Sequence, residues 1–567
     1  MTAISSINPG LILILGALPV VLLPQAIRRI YLLALPVAGL WLVHQLQPGT
    51  LVTIEAFGLT LEPLQVDRLS LVWGYIFNIA AFLSLLFAWH DRDTVQQVSA
   101  LIYAGAAIAA VFAGDLVTLF IFWELTGISS VFLIWASRNA EAYRCGMRYL
   151  IIQISSGVIL LAGSIMWYAE TGSINFAHIG IESTAGKLIL LAFGIKCAFP
   201  LLHNWLQDAY PQATVTGTVV LSAFTTKLAV YALARGFAGT EMLIYIGATM
   251  TAFPIFYAVI ENDLRRVLAY SLNNQLGFMV VGIGVGTDLA LNGTAAHAFS
   301  HILYKALLFM SMGAVLFRTG TCKGSELGGL YKSMPWTTGF CIVGAASISA
   351  FPLFSGFISK SMILTAIAEE HRWFIWGTLL FASAGVFHHS GIKIPYFAFF
   401  AHDSGRRVKE APWNMLLAMG LTAFLCIYIG CFPETLYGIL PYAVDYKPYT
   451  SYHVIQQLQL LMFSALAFTV LMLTRIYPPE LRSTNLDTDW FYRVAAPYVV
   501  GHLMRGVSAA GAALESALTG AVALAIATIR RVHGPGGLMA RTLQLSSMVI
   551  LVIAALGIAL AVNLIAP

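Results

Sequence analysis

Residues 192–214 read AFGIKCAFPLLHNWLQDAYPQAT. A lysine, Lys196, sits inside an apolar run, and Pro200 follows four residues later. A proline ring clashes with the carbonyl of residue i−4, here that of Lys196, so a helix entering this stretch is expected to break. A bilayer crossing needs about 20 apolar residues, and this segment lies in such a run. A break inside a membrane frees backbone carbonyls, which are tolerated only where they line a cavity or are buried in protein. The stretch therefore predicts an all-α polytopic membrane protein with a polar interior at Lys196. His203 and Asp208 follow on the same segment. The competing reading is a proline kink used only for packing.

The rest of the chain agrees with that class. Of 567 residues, 10% are charged and 59% hydrophobic, where a soluble domain carries about 25% charged residues. Mean hydropathy is +0.81. A water-soluble fold could not bury this much apolar surface, and disorder is excluded for the same reason. Net charge is only +5, which speaks against a nucleic-acid partner. Short alternating strands, the mark of an outer-membrane barrel, are not seen. The first basic residues, Arg28 and Arg29, come after the first apolar run, so it reads as a retained span, not a cleaved signal. The six cysteines form no CxxC pair and no metal-ligand spacing. Disulfides, clusters and zinc are disfavoured, and no cofactor is expected.

Sixteen spans are predicted, near 9–25, 31–47, 68–89, 97–113, 115–136, 149–170, 186–206, 214–235, 241–260, 267–286, 293–317, 337–368, 373–402, 412–432, 455–476 and 544–565. Residues 51–66 are too polar and β-branched to cross and read as an extracytoplasmic hairpin. Odd-numbered loops up to residue 474 hold fourteen lysines and arginines, and even-numbered loops hold five. Cytoplasmic loops carry the excess of such residues. The N-terminus is therefore expected outside, in a bacterial inner membrane. Within 478–540, charges recur at wide intervals among small residues, which predicts a long helix lying along the membrane or against partner subunits. One more ordinary span at 508–529 is the alternative. Gly534-Pro535-Gly536-Gly537 then leads to a last anchor.

Five lysines fall inside predicted spans: Lys196, Lys227, Lys305, Lys360 and Lys393. Glu124 joins them. A lysine at the bilayer centre costs about 2.5–3.5 kcal/mol on insertion scales, and such residues face the interior or a water-filled path. Glu124 lies nine residues past Asp115, about 13 Å deeper along a helix. A carboxylate and a lysine near each other offset each other's burial, so moving one proton switches the pair. His297, His301 and Lys305 are spaced i, i+4, i+8, which holds them on one helix face over about 12 Å. Histidine both accepts and donates near neutrality, so this stripe reads as a proton wire. Structural histidines and a metal site are the alternatives; a metal would want a carboxylate or cysteine beside them. Lys360 follows Pro352 and Gly356, a second broken span. AFPL occurs at 198–201 and at 350–353. The broken spans are the seventh and the twelfth, so they run in opposite directions, as in an inverted repeat. His388 and His389 precede Lys393 and either extend a path or cap one. Asp263 suits a helix N-terminus.

These residues carry a resemblance. FIFWELTGISS (120–130), GIKCAFPLLHNWLQDAYPQA (194–213), SAFTTKLAVYAL (222–233), DLRRVLAYSLNNQLGF (263–278), HAFSHILYKALLF (297–309) and AFPLFSGFISK (350–360) resemble the proton-conducting antiporter-like family. That family comprises antiporter-like subunits of respiratory complex I, subunits of membrane-bound hydrogenases, and the A-type and D-type subunits of Mrp cation/proton antiporters. The likeness runs from about residue 65 to 402 and is strongest to the D-type member of the Mrp antiporters. It implies a 14-helix core of two inverted five-helix repeats with broken seventh and twelfth spans. The tail from Leu486 resembles the lateral helix and final transmembrane anchor of the longest complex I members. The implied domains are 1–96 (N-terminal helices with the hairpin), 97–236 and 237–402 (two half-channels), 403–477 (peripheral helices) and 478–567 (lateral amphipathic helix and anchor). Glu124 and Lys196 would form one half-channel's charged pair, Lys227 the bridge, His297, His301 and Lys305 the central wire, and Lys360 the terminal lysine. Arg148 departs from the pattern, which has a lysine or a neutral residue there.

Three functions are to be weighed. The first is a proton-translocating subunit of a multisubunit Na⁺/H⁺ antiporter, with other membrane subunits as partners. The second places the same machinery in a redox complex of the NADH:quinone oxidoreductase or hydrogenase type, whose redox chemistry belongs to partners. The third is an energising subunit of an uptake module, or a scaffold. The retained buried charges argue against a scaffold. No sodium-selective site stands out.

Overall fold

The computed structural model describes residues 6–56, 58–481, 485–541 and 543–565. Residues 1–5, for which an outward location is expected, lie outside the described residues. Two compact units are present, 1–485 and 486–567. The first opens with α1 (Gly10–Gly16) and α2 (Gln25–Gln45). Strands β1 (Leu51–Ala56) and β2 (Leu59–Gln65) then pair antiparallel, Leu51 opposite Gln65 and Ala56 opposite Leu59. Next come α3 (Arg68–Phe87), α4 (Thr94–Val111), α5 (Leu116–Trp135) and α6 (Ala140–Thr171). The seventh crossing is split into α7 (Thr184–Cys197) and α8 (Asn204–Gln212), and the eighth into α9 (Val215–Ala223) and α10 (Thr225–Gly236). Then follow α11 (Met242–Ile260), α12 (Leu264–Val285) and α13 (Asp288–Thr319). The twelfth crossing is α14 (Pro335–Ile348) with α15 (Ser355–Glu369). The thirteenth starts as α16 (Trp373–Val386) and continues as π-helical turns over Phe387–Lys393 and Tyr396–Phe400. Helices α17 (Trp413–Cys431), α18 (Glu434–Tyr437) and α19 (Ser451–Leu473) complete the unit.

Among the described residues, twelve helices are long and apolar enough to cross a membrane. The kinked pair α9–α10 counts among them as one helix, and the crossings outside the twelve are the short α1, the broken α7–α8 and α14–α15, and α12 and α16. The expected first span is shorter than predicted: α1 has seven residues, followed by a 3-10 turn over Pro19–Val21.

Helix starts are set by short polar side chains that accept from the first free N–H groups. Asp115 accepts from Val117 and Thr118, Asn139 from Ala142, Ser183 from Gly186, and Asp263 from Arg265 and Arg266. Glycine closes two long helices: α6 and α13 have 32 residues each and end on left-handed Gly172 and Gly320.

An inverted repeat is visible in backbone detail. Leu116 N–H donates to Ile174 O at 2.8 Å and Phe176 N–H to Gly114 O at 2.8 Å; Leu264 N–H donates to Cys322 O and Gly324 N–H to Asn262 O, both at 2.9 Å. Helices α5–α6 and α12–α13 are thus tied in one pattern, five crossings apart and so in opposite directions. The AFPL tetrapeptides repeat too: Ala198 and Leu201 have φ of 62° and 70°, and Ala350 and Leu353 have 57° and 74°. Left-handed backbone at a non-glycine residue costs of order 1–3 kcal/mol and persists only where surroundings impose it. Both helix ends close with a six-residue turn, Phe199 N–H to Gly194 O and Phe351 N–H to Ala346 O, each 3.0 Å.

Helices α11 and α12 approach closely because both offer glycine. A Cβ on Gly277 would lie 2.6 Å from the Gly247 carbonyl oxygen.

The second unit holds α20 (Ala496–His533) and α21 (Leu545–Ile565). The 38 residues of α20 span about 57 Å, well beyond the ~30 Å that a hydrocarbon core requires. No residue of α20 or α21 is buried within the chain. Helix α20 ends on Arg530, Arg531 and His533, which suit the negative end of its dipole.

Candidate functional site

Lys196 stands in the last turn of α7, just before the left-handed break, and is fully buried. Its Nζ donates to the Trp123 carbonyl oxygen and, at 3.1 Å, to Thr126 Oγ1. It also lies over the Trp123 ring, 4.6 Å from the centroid. Trp123 is fixed in turn: Nε1 donates to Ser156 Oγ at 3.0 Å, and Ser156 Oγ donates to Ala192 O at 2.8 Å. Helices α5, α6 and α7 are stitched together around the lysine.

Glu124 is the next residue on α5. Its carboxylate packs against Gly157 of α6, where a Cβ would overlap Oε1. Among the described residues Oε1 has no hydrogen-bond partner. Lys196 is the charge that acts on it. The two groups act on each other through space, not through a shared hydrogen bond. Arg148, at the start of α6, is occupied by Asp208 of α8, with Oδ2 at 2.9 Å from Nε and 2.7 Å from the second guanidinium nitrogen. Arg148 therefore has its counter-charge within the chain.

Lys227 sits just past the kink between α9 and α10. Its Nζ donates to Ser222 O at 2.6 Å, a carbonyl that the kink releases. Tyr103 OH accepts the Thr225 N–H at 3.0 Å, so backbone groups on both sides of the kink have partners. Lys227 is within Coulombic reach of Cys197, the residue after Lys196.

The histidine stripe lies on α13, where His297, His301 and Lys305 are all fully buried. His297 Nδ1 is 3.1 Å from Ser359 Oγ of α15, and Nε2 is 3.2 Å from Gln275 Oε1 of α12. Tyr304 OH donates to the same Gln275 oxygen at 3.1 Å. His301 is 6.2 Å from His297 and 5.3 Å from Tyr304, ring to ring. Among the described residues neither ring nitrogen of His301 has a partner, and Lys305 Nζ has none either. Buried polar groups are normally hydrogen-bonded. A run of them without protein partners is where internal water binds. No group of three His, Cys, Asp or Glu able to hold a metal occurs among the described residues.

Lys360 Nζ reaches back across the second break and donates to Ile348 O, the end of α14, at 3.1 Å. It also stands over Phe278, 5.0 Å from the ring centroid. Lys393 closes the row at the π-helical turn. Its Nζ donates to the carbonyls of Ala258, Val259 and Glu261 at 3.2, 2.6 and 2.7 Å, and pairs with Glu480 Oε1 at 2.9 Å. His389 Nδ1 is 2.8 Å from Ser390 Oγ, which donates to Ser271 Oγ at 2.7 Å. His388 stacks on Tyr477.

Coulombic reach links these groups in order. Lys227 acts on Lys305 and His301; Lys360 acts on Lys305, His301 and His297; Lys305, Lys360 and Lys393 act on His389. The arrangement can pass a proton between neighbours whose charged states disfavour one another. Sequence reading missed Gln275, Gln153, Ser359 and Glu480. Gln153, fully buried on α6, has both amide atoms unpaired among the described residues.

Fold and buried charges define a class: a multi-span helical membrane protein with two inverted repeats, each containing a broken crossing. Residues 113–386 match the family described as NADH:quinone oxidoreductase/Mrp antiporter, TM. The chain is 30% identical over 351 residues to the D-type component of the Na(+)/H(+) antiporter of Alkalihalophilus pseudofirmus, covering 58% of this chain and 71% of the relative. It is 29% identical over 369 residues to the N-type component of the NADH-quinone oxidoreductase of Desulforudis audaxviator, covering 59% and 74%. A chain of the Mrp complex from Dietzia sp. DQ12-45-1b shares the fold, with a TM-score of 0.68 at 20% identity over 83% of this chain and 100% of that one. The chain belongs to the NADH:quinone oxidoreductase/Mrp antiporter family of membrane subunits.

Proposed function

We propose that this chain is a proton-translocating subunit of a multisubunit monovalent cation/proton antiporter, of the Na⁺/H⁺ type. It works among other integral membrane subunits of a bacterial inner membrane, with the N-terminus outside. Residues 97–236 and 237–402 are the two half-channels. Protons move along Glu124, Lys196, Lys227, His297, His301, Lys305, Lys360 and Lys393. Separating Glu124 from Lys196 removes the charge that holds the lysine's proton and drives it onward to Lys227. The observation that carries this reading is the run of buried groups at His301 and Lys305 without partners among the described residues, inside Coulombic reach of lysines on two other crossings. A structural polar network would be paired throughout.

The second reading, a proton-pumping subunit of a redox complex, is supported by the likeness to the NADH-quinone oxidoreductase component. The two differ in partners. Mass spectrometry of proteins that copurify in mild detergent separates them. Small membrane subunits without redox centres support the antiporter, and cation/proton exchange in vesicles then follows. Partners carrying flavin, iron–sulfur or nickel centres would replace it with the redox reading.

A further inference from the structure

Among the described residues, Lys393 is the one lysine of the row whose ammonium directly meets a carboxylate. Glu480 comes from the segment after α19, far along the chain, and reaches the π-helical turn. Its side chain is 6% exposed, and Oε1 lies 2.9 Å from Lys393 Nζ. The other oxygen, Oε2, is buried and has no partner among the described residues. Glu480 also borders an open cleft of about 500 Å³, with Gly324, Phe397, His402, Tyr477 and Pro479 among its walls. One carboxylate thus touches the last lysine of the row and an opening at the end that carries the basic loops.

The neighbouring charges suit a transfer step better than a fixed lock. Glu261, between α11 and α12, adds a second carboxylate that acts on both Lys393 and Glu480. Glu261 Oε2 accepts from Asn485 Nδ2 at 3.2 Å and lies 3.8 Å from an Arg266 guanidinium nitrogen. Arg475 and His402 stand at the cleft, and His388 stacks on Tyr477. Burial raises the Glu480 carboxyl above its ordinary range, against the pull of Lys393. A carboxyl so placed takes up a proton nearer neutrality than an exposed one does.

We propose that Glu480 is the terminal proton-transfer residue of the second half, carrying protons between Lys393 and the cleft. The Lys393 ammonium gives a proton to the Glu480 carboxylate, leaving a neutral amine and a carboxylic acid. The acid then releases the proton to water in the cleft, and the reverse order serves uptake. This rests on the proton-translocation reading, so its test carries a control for that reading.

Glu480→Gln and Glu480→Asp are assayed in the whole complex in inverted vesicles, beside Lys196→Ala. Glu480→Gln is expected to assemble as wild type and lose at least tenfold in proton-coupled transport. Glu480→Asp is expected to regain transport with a displaced pH profile. Wild-type rate and pH profile in Glu480→Gln, with Lys196→Ala inactive, overturn the proposal alone. An active Lys196→Ala sinks both readings. Should Glu480→Gln fail to assemble, a membrane-permeant carbodiimide applied to wild-type membranes decides, because it modifies protonated carboxyls. Labelling of Glu480 that rises as pH falls supports the proposal, and no labelling at any pH overturns it.

Discussion

Gly157 is glycine because Glu124 occupies the place where its side chain would be. Adding a methyl group there forces the Glu124 carboxylate out of its place beside Gly157, and the atoms it meets are those of the glutamate, not of the lysine. Gly157→Ala is therefore expected to lower transport by at least tenfold while the protein still assembles; vesicle transport and detergent size-exclusion profiles check both halves. His301→Gln keeps a polar side chain of similar size but cannot take up a proton as imidazole does. It should fold as wild type and slow transport at least tenfold, measured in the same assay. The charged members of the site were legible because a lysine or glutamate in an apolar run is costly and stands out. Gln153 and Gln275 were not, because a neutral amide in a span carries no such signal. The Arg148–Asp208 pair joins residues on different crossings, which no local spacing reveals.

Breaks in the crossings are where sequence and structure diverge most. The seventh and twelfth breaks follow from Pro200 and Pro352, and their positions were readable. The kink at Phe224 has no proline or glycine behind it. It exists because Tyr103 and Lys227 take over the freed backbone groups, a tertiary contact that local sequence does not encode. The π-helical turn at Phe387–Lys393 was read as plain helix for the same reason. Arg265 shows how such breaks are held. It is buried, and its guanidinium donates to the carbonyls of Tyr210, Pro211 and Ala213 at 3.2, 3.1 and 2.9 Å, and to Thr218 Oγ1. These carbonyls lie where α8 ends and α9 has not begun. Arg265→Ala leaves them unpaired and is expected to cost roughly 3 kcal/mol, read as a lower midpoint in thermal unfolding in detergent. An unchanged midpoint would show that the junction does not depend on the arginine.

At the scale of the whole chain, the crossing pattern and the two repeats were legible because apolar runs of bilayer length leave few alternatives. The role of the segment after α19 was not. Glu480 sits beside prolines in a short loop, and nothing local marks it as the partner of Lys393. The division into units 1–485 and 486–567 carries its own expectation. A chain ending at residue 485 should keep the core's thermal unfolding midpoint, because residues 1–485 form a compact unit by themselves. A large fall in that midpoint would show that the second unit supports the first. In the proposed function, protons cross along buried lysines, with Lys196 as the switch. Its most direct test is proton-coupled transport in inverted vesicles containing the whole complex with Lys196→Ala. A correctly assembled complex with no transport above background is expected; full transport in that variant would mean that protons do not pass through Lys196.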